Sequence, residues 1–176
     1  MISEAQTGLS VCQPKVSPDG RWLLVTLCPC GSFPIHQPRS DLWVMDLATR
    51  KLRRLEINSD RADTWHSWSS NSRWVVFSSK RIDGLFARPH FSYVDEHGTF
   101  HKPFVLPQED PTFYGYCLQT FNVPELMQGP VRVKERDLAE TVAARRTVLT
   151  PQGPNGPASP GSQAGQDDSR YQPVRE

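Results

Sequence analysis

Cys28-Pro29-Cys30, followed by His36, places two thiols and an imidazole in one short stretch. Thiolates and imidazole nitrogens are zinc ligands, so a metal site is the first chemistry to consider there. The spacing argues against it. A single residue separates the cysteines where finger-type sites have about two or more, and no second ligand pair follows. Haem attachment needs C-x-x-C-H, which is absent. The pair reads as loop cysteines open to oxidation. Trp65-His66-Ser67-Trp68 is a second candidate, as an aromatic binding wall or as a core strand. Strand alternation puts Trp65 and Ser67 on one face and His66 and Trp68 on the other. Core packing, with a structural hydrogen bond from His66, is the reading this favours. Nucleophilic catalysis finds no support: the G-x-S-x-G elbow is missing, as is any phosphate-binding glycine loop. Glu109-Asp110 and Asp167-Asp168 lie in polar flanks rather than as an acid–base pair. No catalytic, cofactor-binding or metal-ligating residue is assigned, and the chain is read as a non-enzyme.

The elements around these residues are short strands. Gln13 to Ser17 can extend, and Pro18-Asp19-Gly20 reverses the chain, since proline presets φ and glycine permits positive φ. Trp22 to Leu27 is an apolar run bounded by turns, as in a buried strand. After a Pro- and Gly-rich loop over 28–40, strands are expected over 41–47 and 52–57. The series then restarts, with strands over 64–69, 73–79, 88–94 and 100–106. Pro103 marks the last as an edge. Asp110-Pro111 is expected to cap and open a helical turn over 110–119, and 134–146 reads as a narrow-striped surface helix. From 150 to 176 the chain is Pro, Gly, Ser and Gln without apolar periodicity, a composition expected to be disordered. The organisation is thus a lead-in (1–12), two units (13–57 and 64–107 within 13–107), an extension (108–149) and a tail (150–176).

The two units repeat. Ser17 and Ser69, Arg21 and Arg73, and Trp22 and Trp74 are each 52 positions apart. A period of this size suggests a propeller blade or similar array. With a net charge of +1 over 176 residues, nothing argues for nucleic acid. No apolar run approaches the ~18 residues of a membrane span, and residues 1–10 do not read as a signal peptide. Four cysteines, scattered, do not suggest a disulfide framework.

Val16-Ser17-Pro18-Asp19-Gly20-Arg21-Trp22, followed by Asp41-Leu42-Trp43-Val44-Met45-Asp46-Leu47, resembles the TolB-like (WD-type) β-propeller repeat. The stretch from His66 to Arg81 is similar to a variant of it, with Ser70-Asn71-Ser72 in place of Pro-Asp-Gly. The resemblance covers about 13–106. It implies an all-β fold: two four-stranded antiparallel propeller blades of an incomplete propeller, with a short helical C-terminal extension. It implies a non-catalytic protein-interaction scaffold, similar to Tol biopolymer-transport components, periplasmic or otherwise extracytoplasmic, with envelope-associated protein partners. The alternative is the propeller portion of a larger hydrolase or peptidase. An array needs about three or more repeats to cover its faces, so the chain is expected to be the C-terminal part of a longer propeller or to self-associate through open blade edges. Blade geometry would gather the loops 28–40, 58–63 and 80–86 on one face. Their His36, Arg39, Asp60, Arg61, Asp63, Lys80, Arg81 and Asp83, with His66 beside them, are the expected partner-binding set, with His36, Arg39, Arg61, Asp63, His66, Arg81 and Asp83 foremost.

Overall fold

The structure is a computed structural model describing residues 2–130 and 132–143. It has two compact units, Met1–Pro130 and Val131–Glu176. The first holds two four-stranded antiparallel sheets, each a simple meander. Sheet one is β1 (Ser10–Val16), β2 (Trp22–Cys28), β3 (Asp41–Asp46) and β4 (Leu52–Arg54). Sheet two is β5 (Asp63–Trp68), β6 (Trp74–Ser79), β7 (Arg88–Tyr93) and β8 (Phe104–Val105). A short helix, α1 (Glu4–Thr7), precedes them, and α2 (Phe113–Tyr116) follows. The described part of the second unit contains α3 (Glu135–Ala143), exposed from Glu135 to Val142. The remainder of the expected 134–146 helix and the tail 150–176 lie outside the described residues.

The repeat extends to individual hydrogen bonds. In sheet one, the Ser17 hydroxyl donates to Asp19 at 2.5 Å and accepts from the Trp22 amide at 3.0 Å. In sheet two, the Ser69 hydroxyl donates to Asn71 at 2.7 Å and accepts from the Trp74 amide at 2.9 Å. Both turns are closed by short polar side chains that bond local backbone. Asn71 therefore does the work of Asp19, and Ser72 takes the position of Gly20 with φ 60 against 73.

Several boundaries differ from the sequence reading. β1 begins at Ser10 because Ser10 and Val11 find partners in Cys28 and Leu27. β4 ends at Arg54. Leu55 and Ile57 turn into the core, and the Asn58 side chain pairs with both the N–H and the C=O of Leu42, at 2.7 and 2.9 Å. β8 shrinks to two residues around Pro103, with an isolated bridge from Val94 to Phe100. Thr112, not Asp110, precedes α2; the Asp110 carboxylate accepts from Thr112 and, at 2.7 Å, from the Tyr116 hydroxyl. The expected alternation through 65–68 is interrupted at its start, although His66 and Trp68 both face sheet one. The register of β5 shifts between Thr64 and Ser67, where Trp65 has φ 50. Such a bulge adds a residue and re-aims its neighbours. β1 has the same irregularity at Gln13, φ 54. Gln13 and Trp65 are 52 apart, so the bulge belongs to the repeat.

The core lies between the sheets. Trp22, Leu24, Leu42, Val44, Leu55 and Ile57 of sheet one and its loops meet Trp68, Val75, Phe77, Val94 and Phe100 of the second unit of the repeat. At its rim, Gly98 lies flat on the Trp22 indole with φ +78, and a Cβ there would stand 2.2 Å from the ring. Overpacking and a disfavoured backbone coincide at this one position. Gly98→Ala is expected to lower stability by about 2–4 kcal/mol, read from the midpoint of urea unfolding. A change within about 0.5 kcal/mol, as at an ordinary surface site, would show that this contact is not formed.

Candidate functional site

The loops 28–40, 58–63 and 80–86 do meet. Ile35, Ala62 and Ala87, one from each loop or its end, form a small buried apolar cluster against which Trp65 packs. The turn Pro34–His36 presents Ile35 inward and leaves His36 outside. Rigid strands thus hold three loops at one end of the sheets, a common arrangement for binding surfaces.

The expected residues divide sharply by location. Asp63 is fully buried, 2.8 Å from the Arg81 guanidinium. Its second oxygen accepts from the Ser59 hydroxyl at 2.8 Å. Arg81 also donates to the Ile57 carbonyl and to Ser79, both at 2.8 Å, and lies over the Phe77 ring. This pair ties the inter-sheet link to the end of β6. His66 is also inside, 2 % exposed. Its Nε2 is 3.1 Å from the Leu24 carbonyl and its Nδ1 is 3.5 Å from the Thr26 hydroxyl. Burial pushes its pKa down to about 4, so the neutral ring bridges the sheets by donating from Nε2. Asp63 and His66 are therefore corrected from binding residues to structural ones, while Arg81, tied to Asp63, keeps 20 % of its side chain exposed. Asp83 organises its own loop, accepting the Leu85 and Phe86 amides at 2.8 Å each.

His36, Arg39 and Arg61 remain exposed, as does Asp60. Arg61 lies across Gly84, with its guanidinium carbon 3.5 Å from where a Cβ would stand, and so joins the 58–63 and 80–86 loops. Beside these charges the loops also expose apolar side chains. Phe33 is 69 % exposed, Ile82 48 % and Leu85 71 %. Their lack of periodic neighbours in sequence hid them; their position at loop tips is the signal that would have found them.

The cysteines are arranged differently from the C-x-C reading. Cys28 faces Cys12 across β1 and β2, Sγ to Sγ 3.7 Å, while Cys30 is exposed. Burial, then the Cys12 thiol, pushes the Cys28 thiol up to about 12, so it stays protonated. Among the described residues no group of three or more His, Cys, Asp or Glu side chains is placed to hold a metal ion, and no helix is long and apolar enough to cross a membrane.

No family model matches the chain, and no curated protein does. Among solved structures, it is similar to the GH74 enzyme of Niastella koreensis at 12% identity and a TM-score of 0.42. The match covers 56% of this chain and 15% of that one, so it spans a small part of that protein's length.

Two buried histidines set a pH dependence. His90, with Nδ1 3.0 Å from the Arg88 carbonyl, is also lowered to about 4 by burial. Each folded pKa lies below the ordinary value of 6.5. The unfolded chain therefore binds the protons first, and the stability each neutral ring contributes is fully present above pH 6.5 and lost as pH falls toward 4. Urea midpoints are expected to fall across this window, by at most about 1.4 kcal/mol per pH unit for each histidine. His66→Gln should flatten the slope by one histidine's share. An unchanged slope would remove His66 from the account.

Proposed function

We propose that the two sheets are consecutive blades of a TolB-like β-propeller and that the protein is a non-catalytic scaffold binding other proteins through its loop end. The observation that carries this reading is the joining of three loops on one apolar cluster, with Phe33, Ile82 and Leu85 exposed at their tips beside His36, Arg39 and Arg61. Exposed apolar side chains on a rigid frame, with cations nearby, are the usual ingredients of an interface core and rim. The blade reading is supported by the four-stranded meanders, the faithful Ser-x-Asp/Asn turns and the face-to-face packing. The non-catalytic reading is supported by the fate of the titratable groups: Asp63 and Arg81 neutralise each other, and His66 is enclosed. An envelope location, with envelope proteins as partners, is part of the same proposal.

The test is a pull-down from envelope fractions with the immobilised chain, followed by affinity measurement on the recovered partner. Phe33→Ala with Leu85→Ala is expected to weaken binding by tenfold or more, and Arg61→Ala by less, as truncation of central apolar anchors outweighs rim charges by roughly this margin. Unchanged affinity of the folded double variant would move the binding surface elsewhere.

A further inference from the structure

The two sheets do not meet through equivalent faces. Partners across a ladder share a face, so Trp22, Leu24, Thr26, Leu42 and Val44 form one face of sheet one, and this face is covered by sheet two. The corresponding face of sheet two carries Trp74, Val76, Ser78, Pro89, Phe91 and Tyr93. Sheet two instead uses its opposite face, with Val75 and Phe77, to cover sheet one. The face of sheet two that repeats the covered face of sheet one is thus left over. The tryptophans show it directly: Trp22 is 8% exposed beneath Gly98, whereas Trp74 is 36% exposed. Around Trp74, Tyr93 and Phe104 form an edge-to-face aromatic patch, and they are 39% and 46% exposed.

The inner end of this leftover face is occupied by residues 121–126, and the attachment copies that of β5. In the first junction the Asp63 amide donates to the Ser40 carbonyl at 2.9 Å, and the Thr64 and Thr26 hydroxyls meet at 3.3 Å. In the second, the Phe121 amide donates to the Ala87 carbonyl at 2.9 Å, and the Ser78 hydroxyl reaches the carbonyls of Phe121 and Asn122 at 2.5 and 2.9 Å. Ser40 and Ala87 both immediately precede the third strand of their sheet, and Thr26 and Ser78 are 52 apart. Phe121 therefore stands where Asp63 stands, and Asn122 where Thr64 stands. The buried Arg88 secures the approach, donating to the carbonyls of Gln119 and Cys117 between the rings of Phe86 and Tyr114. Yet 121–126 has no strand beside it. Among the described residues the amides of Asn122, Val123, Glu125 and Leu126 donate no hydrogen bond, and a cavity of about 300 Å³ opens between Val76, Phe91, Leu106 and this segment.

We infer that residues 121–126 are the inner strand of a third sheet, and that this strand with the Trp74–Phe91–Tyr93 face is a docking site for an antiparallel β-strand of a partner polypeptide. The repeat states the chemistry of the occupant. The strands beside β1 and β5 are Trp-Leu-Leu-Val-Thr and Trp-Val-Val-Phe-Ser, so the partner strand is a run of apolar residues opened by an aromatic and closed by a hydroxyl. Main-chain bonds would supply affinity and the apolar face selectivity, as in strand addition generally. This surface is distinct from the loop end, and the inference does not depend on the loop-end reading.

A peptide with the sequence of residues 71–80 is the probe, with the same peptide N-methylated at alternate residues as control. In hydrogen exchange on the full chain, the plain peptide is expected to slow by about tenfold or more those amides among Asn122, Val123, Glu125 and Leu126 that point toward the added strand, which alternate along the segment, and the N-methylated one to leave them unchanged. Equal protection by both peptides, or protection confined to other segments, would overturn strand addition at this site. Protection that appears without peptide and rises with chain concentration would overturn the separate-partner assignment in favour of a second copy.

Discussion

One side-chain carbonyl holds the inner ends of the two sheets together. The Gln13 Oε1 accepts from the Thr26 hydroxyl at 3.0 Å, the Thr64 hydroxyl at 2.9 Å and the Trp65 amide at 3.1 Å. Three strands, β1, β2 and β5, converge on that oxygen. His66 adds a second bridge to Leu24, and the Trp68 indole donates to the Lys15 carbonyl at 3.2 Å. Buried polar groups are costly unless each finds a partner, and such a network fixes register as well as adding stability. The bulges at Gln13 and Trp65 are what make it possible. A residue at positive φ is held in a disfavoured conformation, and here the surrounding hydrogen bonds compensate for it. Without the extra residue, the Gln13 side chain would not be aimed at the seam.

That seam imposes direction on the whole stack. Because one face of sheet one meets the opposite face of sheet two, the contact is heterologous, and such a contact leaves one surface of each end sheet uncovered unless the series closes into a ring. Each added sheet covers one apolar face and exposes another of the same kind. Trp22 and Trp74 differ in exposure for this reason alone; their local turns and ladders are the same. The outward face of sheet one is likewise apolar, with Val11, Leu23, Val25 and Met45 around a cavity of about 530 Å³ closed in part by Ile2.

Much of this was legible in the sequence, and the reasons are local. The Ser-Pro-Asp-Gly turn, the Trp-led apolar runs and the spacing of 52 all depend on neighbours within a few residues, so strands and repeat could be read directly. The bulges could not, because alternation assumes uniform pleating and nothing in Gln13-Pro14 or Trp65-His66 announces an added residue. Asp63 and Arg81 looked like free loop charges because the fact that matters, a bond across 18 residues to a fully buried carboxylate, exists only once the strands pair. Cys12 and Cys28 looked scattered for the same reason. Residues 121–126 form no ladder among the described residues, and their proposed place in the repeat rests on the bonds from Ala87 and Ser78 rather than on a pattern of their own.

The candidate surfaces follow from two different physical requirements. At the loop end, Asp63 and Asp83 accept from the backbone amides of their own loops, and the apolar tips project beyond the buried cluster of Ile35, Ala62 and Ala87. Such a surface can bind and release without rearranging the scaffold. The leftover face of sheet two has unsatisfied main-chain groups on 121–126 beside exposed aromatics, and both are relieved by the same event, the pairing of one more strand. A surface of this second kind favours lasting association, since removing the strand re-exposes apolar area and main-chain amides together. The two proposed surfaces thus make different demands on the fold, and both arise from one repeated sheet whose two faces are not alike.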